Sequence, residues 1–468
     1  MSSFFIQQFG CRATQADGAA IERQLLERGC APVRTPDAAD YVIVNTCTVT
    51  SAADSQAREA IRKIHARNPT ARVIVTGCYA QRAPEELAAL PGVSHVVGNS
   101  HKPQIPDLVA LSPLPIHQHE TPSWAEPSVS PLPLVGPQYG APHSAQRLNL
   151  ESQAIAGRQL VQILTGDISA QSEVLVAPVL GGEGNHTRPT LKIQDGCNSR
   201  CAFCVIPFVR GKSRSLPPNR VLEELRNLAA SGFREVVLSG INLGAWGRDL
   251  SPRLEFIELL RRILEETPVE RLRLSSIEPL DVTQDLVGLF ASTQRLAQHF
   301  HMPLQSGSDR ILAAMHRWYR TEHYARRIEL IRSLLPNAGI GADVVAGFPG
   351  ETEEDHAATL AFIKALPFSY LHVFSYSRRP GTRAAELPGQ VPVQTIKHRA
   401  CELRALGESK SAAFRRSQFG RTLRVLTLHR DDRDARDGVT PALSSNYLSV
   451  RVPGAIDFNQ WVDAVVND

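Results

Sequence analysis

The feature that most constrains this chain of 468 residues is a set of three cysteines in one short stretch. Cys197, Cys201 and Cys204 lie in DGCNSRCAFCVIPFVRGKSRS, with three and then two residues between them. Thiolates so close together on one loop can each bind one iron of a [4Fe–4S] cluster, which leaves a fourth iron open for a substrate or cofactor. A zinc site would need a fourth ligand nearby, and His186 is the only local imidazole. Alternative interpretations are three structural thiols or a degraded zinc knuckle.

A second set of three cysteines lies in the first 110 residues. Residues 4–8, 41–44 and 73–75 are predicted strands with helices between them, and each strand is followed closely by a cysteine: Cys11, Cys47 and Cys78. The cysteines are 36 and 31 residues apart, about one βαβ unit each time. Because ligands of parallel α/β sheets collect at the carboxyl edge, this spacing predicts a second three-cysteine cluster site. The alternative is three buried cysteines, a common environment for this residue.

The region 183–417 alternates predicted strands and helices. The strands are 191–194, 235–239, 271–275, 300–303, 341–345 and 371–374, and the helices include 221–230, 256–264, 309–315, 324–335 and 353–366. Six βα repeats predict an open parallel barrel with its chemistry at the carboxyl edge of the strands. The Cys197–Cys204 loop follows the first strand and therefore belongs to that edge.

Polar residues and glycines follow several other strands of the predicted barrel. Such residues can approach and hold a cofactor, although a single Ser or Gly at a strand end is usually only a turn. The candidate cofactor-binding residues are Ser239, Gly240, Asn242, Ser275, Glu278, Gln305 and the aromatic Phe203 of the cysteine loop. Arg210, Lys212 and Arg214 follow that loop and form either a phosphate contact or a solvated basic turn.

The remaining segments differ in composition. Residues 111–182 are rich in Pro and Ser and predict a flexible linker, with helical character near residues 159–164. Residues 397–424 carry eight Lys or Arg against two Glu, a local net charge of +6 that exceeds the +4 of the whole chain. This basic strap, residues 397–424, fits attraction to a phosphate backbone, or is simply the solvated face of a helix. Residues 418–468 predict a small β module, with 430–437 as a loop.

Bulk composition excludes several classes of protein. The chain is 43% hydrophobic and 21% charged, which is typical of ordinary globular proteins, and no apolar run approaches the length of a membrane span. The N-terminal MSSFFIQQFG lacks a basic n-region and a long apolar core, so we expect no signal peptide. Eight cysteines are too few for a disulfide scaffold and fit metal ligands in a reducing, cytoplasmic compartment. Cys30 is interpreted as structural, and Cys401 receives no role.

The motifs resemble those of a known family. The CxxxCxFC loop is similar to the cluster loop of the radical S-adenosylmethionine superfamily, and DGCNSRCAFCVIP with RGKSRS resembles its methylthiotransferases. GCRATQ, NTCTVT and TGCYAQ resemble the N-terminal domain of that family, and LSGINLGAWGRDL, RLSSIEP, HMPLQSGSD and DVVAGFPGET resemble its barrel motifs. The last 50 residues or so resemble a short TRAM domain. The implied domains are 1–110 (auxiliary cluster), 111–182 (linker or insertion), 183–417 (radical core) and 418–468 (RNA-binding module).

The resemblance implies an enzyme with two [4Fe–4S] clusters and S-adenosylmethionine as cofactors. It implies that Cys197, Cys201 and Cys204 hold the cluster that splits S-adenosylmethionine into a 5′-deoxyadenosyl radical. It implies that Cys11, Cys47 and Cys78 hold the cluster that carries the sulfur to be inserted. The implied product is a C–SCH₃ group at C2 of adenosine 37 in the anticodon stem-loop of a tRNA, with an electron donor such as flavodoxin or ferredoxin as a further partner and no membrane contact.

Some motifs also indicate which substrate the enzyme would act on. NTCTVT, SSIEP and SYSRRPGTRAAELPGQV look most like enzymes that act on N6-threonylcarbamoyladenosine, although Thr14 stands where that subgroup usually has Asn. Sibling enzymes act on N6-isopentenyladenosine in tRNA or on an aspartate of a ribosomal protein. A hypothesis from a different class is a non-catalytic iron–sulfur electron carrier or RNA-binding protein, which would need no cofactor pocket at the strand ends.

Overall fold

The structure, a computed structural model, describes residues 2–110, 161–179 and 187–467. These residues form an N-terminal α/β unit, a central barrel and a C-terminal antiparallel β module, as the sequence predicts. Most of the predicted linker 111–182, and also His186, lie outside the described residues.

The N-terminal unit is built on one parallel sheet. Its strands are β1 Ser3–Gln8, β2 Ala31–Pro32, β3 Tyr41–Thr46, β4 Arg72–Gly77, β5 Val93–Gly98 and β6 Gln162–Leu164. Within the described residues the order is β2-β1-β3-β4-β5-β6, and every neighbouring pair is parallel. The predicted strands correspond to β1, β3 and β4, which occupy the middle of this sheet. Their side chains alternate between two hydrophobic clusters, so that Val42 and Val44 lie on one face and Tyr41 and Ile43 on the other.

The helical character expected near residues 159–164 is wrong. Gln162–Leu164 is instead the edge strand β6, which pairs in parallel with residues 95–97 of β5. Its apolar residues extend the sheet, and the free edge of β5 supplies hydrogen-bond partners that no local sequence signal reveals.

Three helices of this unit begin close to the carboxyl ends of strands. The helices of the unit are α1 Arg12–Glu27, α2 Ser51–Arg67, α3 Cys78–Arg82, α4 Pro84–Ala88 and α5 Ile105–Ala110. Helices α1, α2 and α3 each begin within five residues of a strand end, at or just after Cys11, Cys47 and Cys78. The side chain of Thr50 caps α2 by accepting a hydrogen bond of 3.2 Å from the Ala53 amide. Cys11 and Cys47 therefore lie in the short turns between a strand and a helix, and Cys78 is the first residue of the helix that follows its strand.

The central barrel has the predicted open parallel architecture. Its strands are β7 Thr190–Asp195, β9 Glu235–Gly240, β10 Arg271–Leu274, β11 His299–His301, β12 Gly339–Ala346 and β13 Tyr370–Ser375, with the short β8 Arg214–Ser215 antiparallel to β7. In the described chain the ladders run β10-β9-β7 and β11-β12-β13. A bridge between Leu272 and Leu296 joins the two ladders. The barrel is consequently open between β7 and β13.

The barrel helices surround one large hydrophobic core. They are α6 Ile206–Val209, α7 Pro218–Ala230, α8 Phe256–Glu266, α9 Gln284–Ser292, α10 Asp309–Ala314, α11 Thr321–Leu334, α12 Glu353–Ala365, α13 Arg383–Glu386 and α14 Val393–Arg416. The five predicted helices correspond to α7, α8, α10, α11 and α12, and α9 was not predicted. None of the helices that the structure describes is long and apolar enough to cross a membrane.

The C-terminal module is an antiparallel sheet in the order β16-β15-β14-β17 over the described residues. Its strands are β14 Thr422–Thr427, β15 Val439–Ser444, β16 Ser449–Pro453 and β17 Trp461–Val465. Strand β15 was not predicted. The expected loop 430–437 contains the short helix α15 Asp432–Arg436, in which Asp431 and Asp434 form a reciprocal capping box.

The C-terminal module closes the amino-terminal mouth of the barrel. Arg273, which is buried, donates hydrogen bonds to the carbonyls of Ser444 (2.9 Å), the last residue of β15, and Ser445 (3.0 Å). Arg271 donates to the Leu443 carbonyl at 3.0 Å. Both arginines also contact Glu235, which is fully buried at the start of β9. One buried carboxylate thus orients the arginines that hold the module in place.

Replacement of this carboxylate tests the arrangement. Burial alone would raise the pKa of Glu235, but the charges of Arg273, Arg271 and Arg188 hold it well below the usual value. We expect Glu235→Gln to lower the free energy of unfolding by about 3–5 kcal/mol, because the arginines lose their buried counter-charge. Urea unfolding followed by circular dichroism measures this change. The matched control, Glu223→Gln, removes an exposed ion pair with Arg220 and should change stability by less than about 0.5 kcal/mol.

Candidate functional site

The barrel cysteines lie on a loop that is held by backbone hydrogen bonds between its own residues. The Cys197 amide donates to the Gly211 carbonyl at 3.0 Å, and the Cys204 amide donates to the Cys201 carbonyl at 3.1 Å. All three cysteines are half-buried. The loop begins after β7 at Gly196, which has a φ of +70°. A Cβ added to Gly196 would lie only 2.0 Å from the carbonyl oxygen of Lys212, so this position requires glycine. The three thiols therefore gather at the carboxyl edge of the barrel.

An arginine supplies positive charge to this thiol group. Arg317 donates a hydrogen bond of 3.2 Å to the Cys201 sulfur and also contacts Glu278. Burial raises the pKa of Cys201, and Arg317 acts against that rise. Glu278, one of the predicted cofactor-binding residues, is thus committed to orienting the arginine beside the thiols.

The N-terminal cysteines meet at the carboxyl edge of their own sheet. Gly10, which precedes Cys11, has a φ of +95° and lies against Cys47, so that an added Cβ would be 2.3 Å from the Cys47 Cβ. The side chains of Cys47 and Cys78 are buried, whereas Cys11 is exposed. Burial raises the pKa of Cys47 to about 12, and the neighbouring thiolates of Cys78 and Cys11 add to that rise. The predicted three cysteines therefore lie together.

The chemistry of both thiol groups fits an iron–sulfur cluster. Burial raises the pKa of Cys204 to about 12, with further contributions from Cys201 and Cys197. Thiols that resist ionisation because of burial and mutual repulsion become thiolates once a cation binds them. Each group contributes three sulfurs from one sheet edge, as the sequence predicts for a cluster with one open iron.

The two thiol groups lie on either side of the seam between the N-terminal unit and the barrel, which are in contact next to Cys78. Cys78 packs against Val205 and Val209, which follow Cys204 in the chain. The amide of Asn99 in the N-terminal unit donates to the Val209 carbonyl at 2.7 Å and to the Cys78 sulfur at 3.6 Å. The structure thus brings the helix after the barrel thiols into contact with a thiol of the N-terminal unit.

A cavity of about 230 Å³ opens beside Cys204. Val49 and Thr50, just after Cys47, form one wall of the cavity, and Phe203 and Gln305 of the barrel line it as well. Its remaining lining residues are Cys204, Val205, Ile206, Asp343, Val345, Phe374, Ser375, Tyr376 and Ser377. The lining is mostly apolar, which suits a reaction that must exclude water.

Two of the predicted cofactor-binding residues present buried atoms without a protein partner. The Asn242 Oδ1 and the Ser275 Oγ are buried and make no hydrogen bond to any described residue. Asn242 also places its Nδ2 4.0 Å from the Cys197 sulfur. A buried polar atom without a partner requires an explanation, and at the end of a barrel strand a bound ligand is one that fits. These residues therefore fit a polar cofactor bound beside the barrel cluster.

The other predicted residues occupy the same edge. Ser239 is buried at the end of β9, and Gly240 lies so close to Gln194 that a Cβ would meet its Oε1 at 3.0 Å. Gln305 adopts a φ of +67° and lies in the cavity wall. Phe203 packs onto the apolar cluster around Phe348.

Five charged residues form a buried cluster at the seam, which we call the seam charge cluster: Asp17, Lys102, Lys192, Asp195 and Arg210. Arg210 lies 2.9 Å from both Asp17 and Asp195, Lys102 lies 2.8 Å from Asp17, and Lys192 lies 2.8 Å from Asp195. Asp17 and Lys102 belong to the N-terminal unit, and the others belong to the barrel. Burial alone would raise the pKa of Asp17, but the charges of Arg210, Lys102 and Lys192 hold it well below the usual value.

The seam charge cluster corrects the expectation that Arg210, Lys212 and Arg214 form either a phosphate contact or a solvated basic turn. Arg210 and Arg214 are buried rather than part of a solvated turn. Arg210 donates hydrogen bonds to the carboxylates of Asp195 and Asp17, so it is engaged inside the protein rather than with a phosphate. Lys212 alone is exposed. The carboxylate of Asp17 lies 193 positions away in the sequence, so no local pattern could have indicated this pairing.

A second contact closes the other side of the seam. Arg379, in the loop after β13, is buried against Asp54 and donates a hydrogen bond of 3.3 Å to the Thr48 hydroxyl. Arg82 also pairs with Asp54, at 3.1 Å. These contacts fix the 48–54 segment that forms one wall of the cavity.

Sequence analysis missed two residues of the site. Asp343 lies in the cavity wall, and a lone acidic residue in the apolar run GIGADVVAGF was a usable signal. Arg317 lies in HRWYR, where nothing distinguishes it from the neighbouring basic residues. Its function depends on the proximity of Cys201, which only the fold reveals.

Comparison with known proteins gives consistent matches. Residues 3–98 match Uncharacterized protein family UPF0004, and residues 191–363 match the Radical SAM superfamily. The threonylcarbamoyladenosine tRNA methylthiotransferase MtaB of Aquifex aeolicus is 34% identical over 98% of this chain and 99% of its own. A tRNA-2-methylthio-N(6)-dimethylallyladenosine synthase of Sphingopyxis alaskensis is 31% identical over 97% of this chain and 92% of its own.

A solved structure supports the fold. The radical S-adenosylmethionine methyltransferase TsrM of Kitasatospora setae superimposes with a TM-score of 0.52 at 15% identity, over 82% of this chain and 74% of that chain. At 15% sequence identity this similarity supports the fold of the chain and gives no evidence about its reaction.

The close approach at Gly10 can be tested with a matched pair of substitutions. In Gly10→Ala the new methyl group would overlap Cys47, so we expect iron content after anaerobic reconstitution to fall from about eight to about four per chain. Gly29→Ala is the control, because Gly29 has a similar positive φ of +78° but no heavy atom within 4 Å of an added Cβ. An iron content of about four in both variants would contradict the steric explanation.

The seam charge cluster predicts a dependence of stability on pH. The pKa of Asp17 and that of Asp195 are both lowered in the folded state, so their contribution is complete above the unfolded pKa of about 3.9 and is lost as pH falls below it. We expect Asp17→Asn to lower the free energy of unfolding at pH 6 by about 3–5 kcal/mol. Urea midpoints between pH 6 and pH 3 should also fall less steeply in this variant. A slope equal to that of the wild type would contradict the assignment.

Proposed function

Since the chain belongs to the radical S-adenosylmethionine methylthiotransferase family, we propose that it inserts a methylthio group at C2 of N6-threonylcarbamoyladenosine 37 in tRNA. The single observation that carries the reaction type is that two three-cysteine groups lie on either side of one seam, where the segments that follow Cys47 and Cys204 line the same apolar cavity. The substrate is supported by the printed name of the Aquifex aeolicus relative, which matches this chain along almost its whole length.

The six thiols divide the cofactor sites between them. Cys11, Cys47 and Cys78 would hold the auxiliary [4Fe–4S] cluster, and Cys197, Cys201 and Cys204 would hold the cluster to which S-adenosylmethionine binds. The bound cofactors supply one-electron chemistry that removes hydrogen from an unreactive C–H bond, which no side chain achieves unaided.

The surrounding residues of the chain position and shield these groups. The Arg317 guanidinium offsets negative charge on the Cys201 sulfur and is itself oriented by Glu278. The unpartnered oxygens of Asn242 and Ser275 are available to polar groups of S-adenosylmethionine. Ser239, Gly240, Gln305 and Phe203 would shape the remainder of that site, and the apolar side chains of the cavity keep water from the reacting carbon.

The C-terminal half offers a basic surface for the RNA backbone. Arg399 and Lys410 of the basic strap are used inside the protein, where Arg399 pairs with Glu351 at 2.9 Å and Lys410 donates to backbone carbonyls. The six exposed members of the strap are Lys397, Arg404, Arg415, Arg416, Arg421 and Arg424. Arg421 and Arg424 also line a groove of about 740 Å³ between the barrel and the β module. Guanidinium groups along a groove suit phosphate contacts.

The electron donor and the cellular compartment follow from the same proposal. Reduction of the barrel cluster requires a one-electron donor such as flavodoxin or ferredoxin, and both clusters require a reducing compartment, for which we propose the cytoplasm.

The decisive experiment is mass spectrometry of tRNA nucleosides from a strain that lacks this gene. We expect 2-methylthio-N6-threonylcarbamoyladenosine to disappear and to return when the wild-type gene is supplied. An unchanged nucleoside profile would exclude action on tRNA, and loss of the methylthio group from isopentenyladenosine instead would assign the chain to the sibling activity.

Cysteine variants test the division of thiols in the same assay. Cys47→Ala and Cys197→Ala should each fail to restore the modified nucleoside, because each removes one of three thiols at a cluster site. Cys401→Ala is the control, since Cys401 is exposed on α14 and distant in sequence from both thiol groups. Restoration by Cys47→Ala at the wild-type level would contradict the role of the N-terminal thiols.

A further inference from the structure

Two histidines and an aspartate meet across three neighbouring strands of the barrel. Asp343 of β12 lies opposite His372 of β13 in the ladder register, and His301 is the last residue of the adjacent strand β11. The Asp343 Oδ1 lies 2.9 Å from the His301 Nε2 and 3.3 Å from the His372 Nδ1. One potential ligand atom from each residue lies within 4.8 Å of the other two. We call these three residues the His–Asp group.

The His–Asp group lies on the side of the strands that faces away from the large hydrophobic core. Ala342 and Val344, the neighbours of Asp343 in β12, pack into that core, so the Asp343 side chain points to the barrel interior. His372 shares this face because residues directly opposite each other in a ladder lie on the same side of the sheet. Asp343 also lines the cavity beside Cys204. The group therefore borders the cavity through its carboxylate.

The distances in this group fit the ligands of one metal ion. Nitrogen and oxygen ligands lie about 2.0–2.2 Å from zinc, so at tetrahedral or octahedral angles they lie about 2.8–3.6 Å from one another. The two distances from the Asp343 Oδ1 fall within this range. Both imidazoles also approach the same oxygen of the carboxylate, although hydrogen bonds alone would be served by either oxygen. A shared cation requires such convergence on one point.

The outer partner of His301 is placed as it would be for a metal-bound imidazole. A histidine that binds a metal through one ring nitrogen usually directs the other to a hydrogen-bonding partner, which fixes the orientation of the ring. The His301 Nδ1 lies 2.9 Å from the Tyr370 hydroxyl, which in turn lies 2.8 Å from the His299 Nε2. The His301 ring is thereby held with its Nε2 towards Asp343.

The donor atoms limit the kind of cation that the His–Asp group can bind. Two imidazoles and one carboxylate suit divalent first-row transition metals such as zinc and iron(II), whereas calcium and magnesium prefer oxygen ligands. Three protein ligands leave at least one coordination position for water or another small ligand. His301 is buried, Asp343 is half-buried and His372 is exposed, so a cation has a path from solvent to the group.

We propose that His301, Asp343 and His372 form a mononuclear site for a divalent transition-metal cation, zinc or iron(II), separate from both cluster sites. The ligands of this site are imidazoles and a carboxylate, whereas the two cluster sites are built from thiols. The bound cation links strands β11, β12 and β13 and borders the cavity through Asp343. The inference does not rest on the proposed function, because none of its three residues belongs to a thiol group.

The test uses the full chain without a polyhistidine tag, reconstituted anaerobically so that iron–sulfur clusters occupy the thiols. Binding of Zn²⁺ is measured by isothermal titration calorimetry, and bound metals are counted by inductively coupled plasma mass spectrometry. Mössbauer spectroscopy of a sample reconstituted with ⁵⁷Fe detects mononuclear iron. His372→Gln removes a ligand, and Tyr370→Phe removes only the hydroxyl beside His301. The control is His323→Gln, which changes an exposed histidine on α11.

We expect the wild type to bind about one Zn²⁺ per chain in addition to about eight cluster irons. His372→Gln should weaken Zn²⁺ binding by more than about 100-fold, and Tyr370→Phe by about 10- to 100-fold, the range for losing the partner of a ligand. His323→Gln should bind as the wild type does, and all variants should keep the cluster iron. A mononuclear ferrous signal that Zn²⁺ displaces would assign iron(II) to the same site, and Zn²⁺ binding without such a signal would assign zinc.

Three results would overturn the inference. A wild type that binds neither Zn²⁺ nor mononuclear iron would exclude the site, whether or not the variants fold. Equal Zn²⁺ affinity in the wild type and in His372→Gln would place the cation elsewhere. A loss of affinity in His323→Gln as large as that in His372→Gln would assign the binding to surface histidines. None of these results depends on the tRNA nucleoside profile, so the inference and the proposed function fail separately.

Discussion

The structure depends on buried charge at the seam between the N-terminal unit and the barrel. The seam charge cluster contains three cations and two carboxylates, and it is excluded from water on both sides of the seam. Asp195 lies two residues before Cys197, Arg210 six residues after Cys204, and Asp17 six residues after Cys11. Because buried charges tolerate little displacement from their partners, this cluster holds the segments that carry both thiol groups at a fixed separation.

The site is therefore a product of two parallel sheets that present their carboxyl edges to each other. Each sheet brings its own three cysteines together, and neither sheet alone encloses a cavity. The wall contributed by Val49 and Thr50 completes the space beside Cys204, and Arg379 holds that wall by its contact with Asp54. The arrangement explains why cysteines so far apart in the sequence can serve one reaction, since the segments that follow Cys47 and Cys204 line the same apolar volume.

Local sequence patterns were sufficient for the fold class, the barrel and the position of each cysteine at a strand end. They failed where a partner comes from a distant segment. Residues 162–164 are a strand only because β5 offers an open edge, and strand β15 contains Pro441, which weakens its β signal. Arg210 reads as one member of a basic turn until the fold brings Asp17 to it. Within the site, Asn242 and Ser275 were predictable from strand ends, whereas Arg317 gains its role from tertiary contacts with Cys201 and Glu278 alone.

The closure of the amino-terminal barrel mouth by the C-terminal module has a consequence for biosynthesis. The chain leaves the ribosome from its N-terminus, so the strand that carries Arg271 and Arg273 emerges about 170 residues before the carbonyls of Leu443, Ser444 and Ser445 that satisfy these arginines. During that interval the nascent barrel exposes an uncapped polar mouth. Synthesis of residues 443–445 therefore completes the barrel, and premature termination near residue 440 would release a chain whose central domain lacks these hydrogen-bond acceptors.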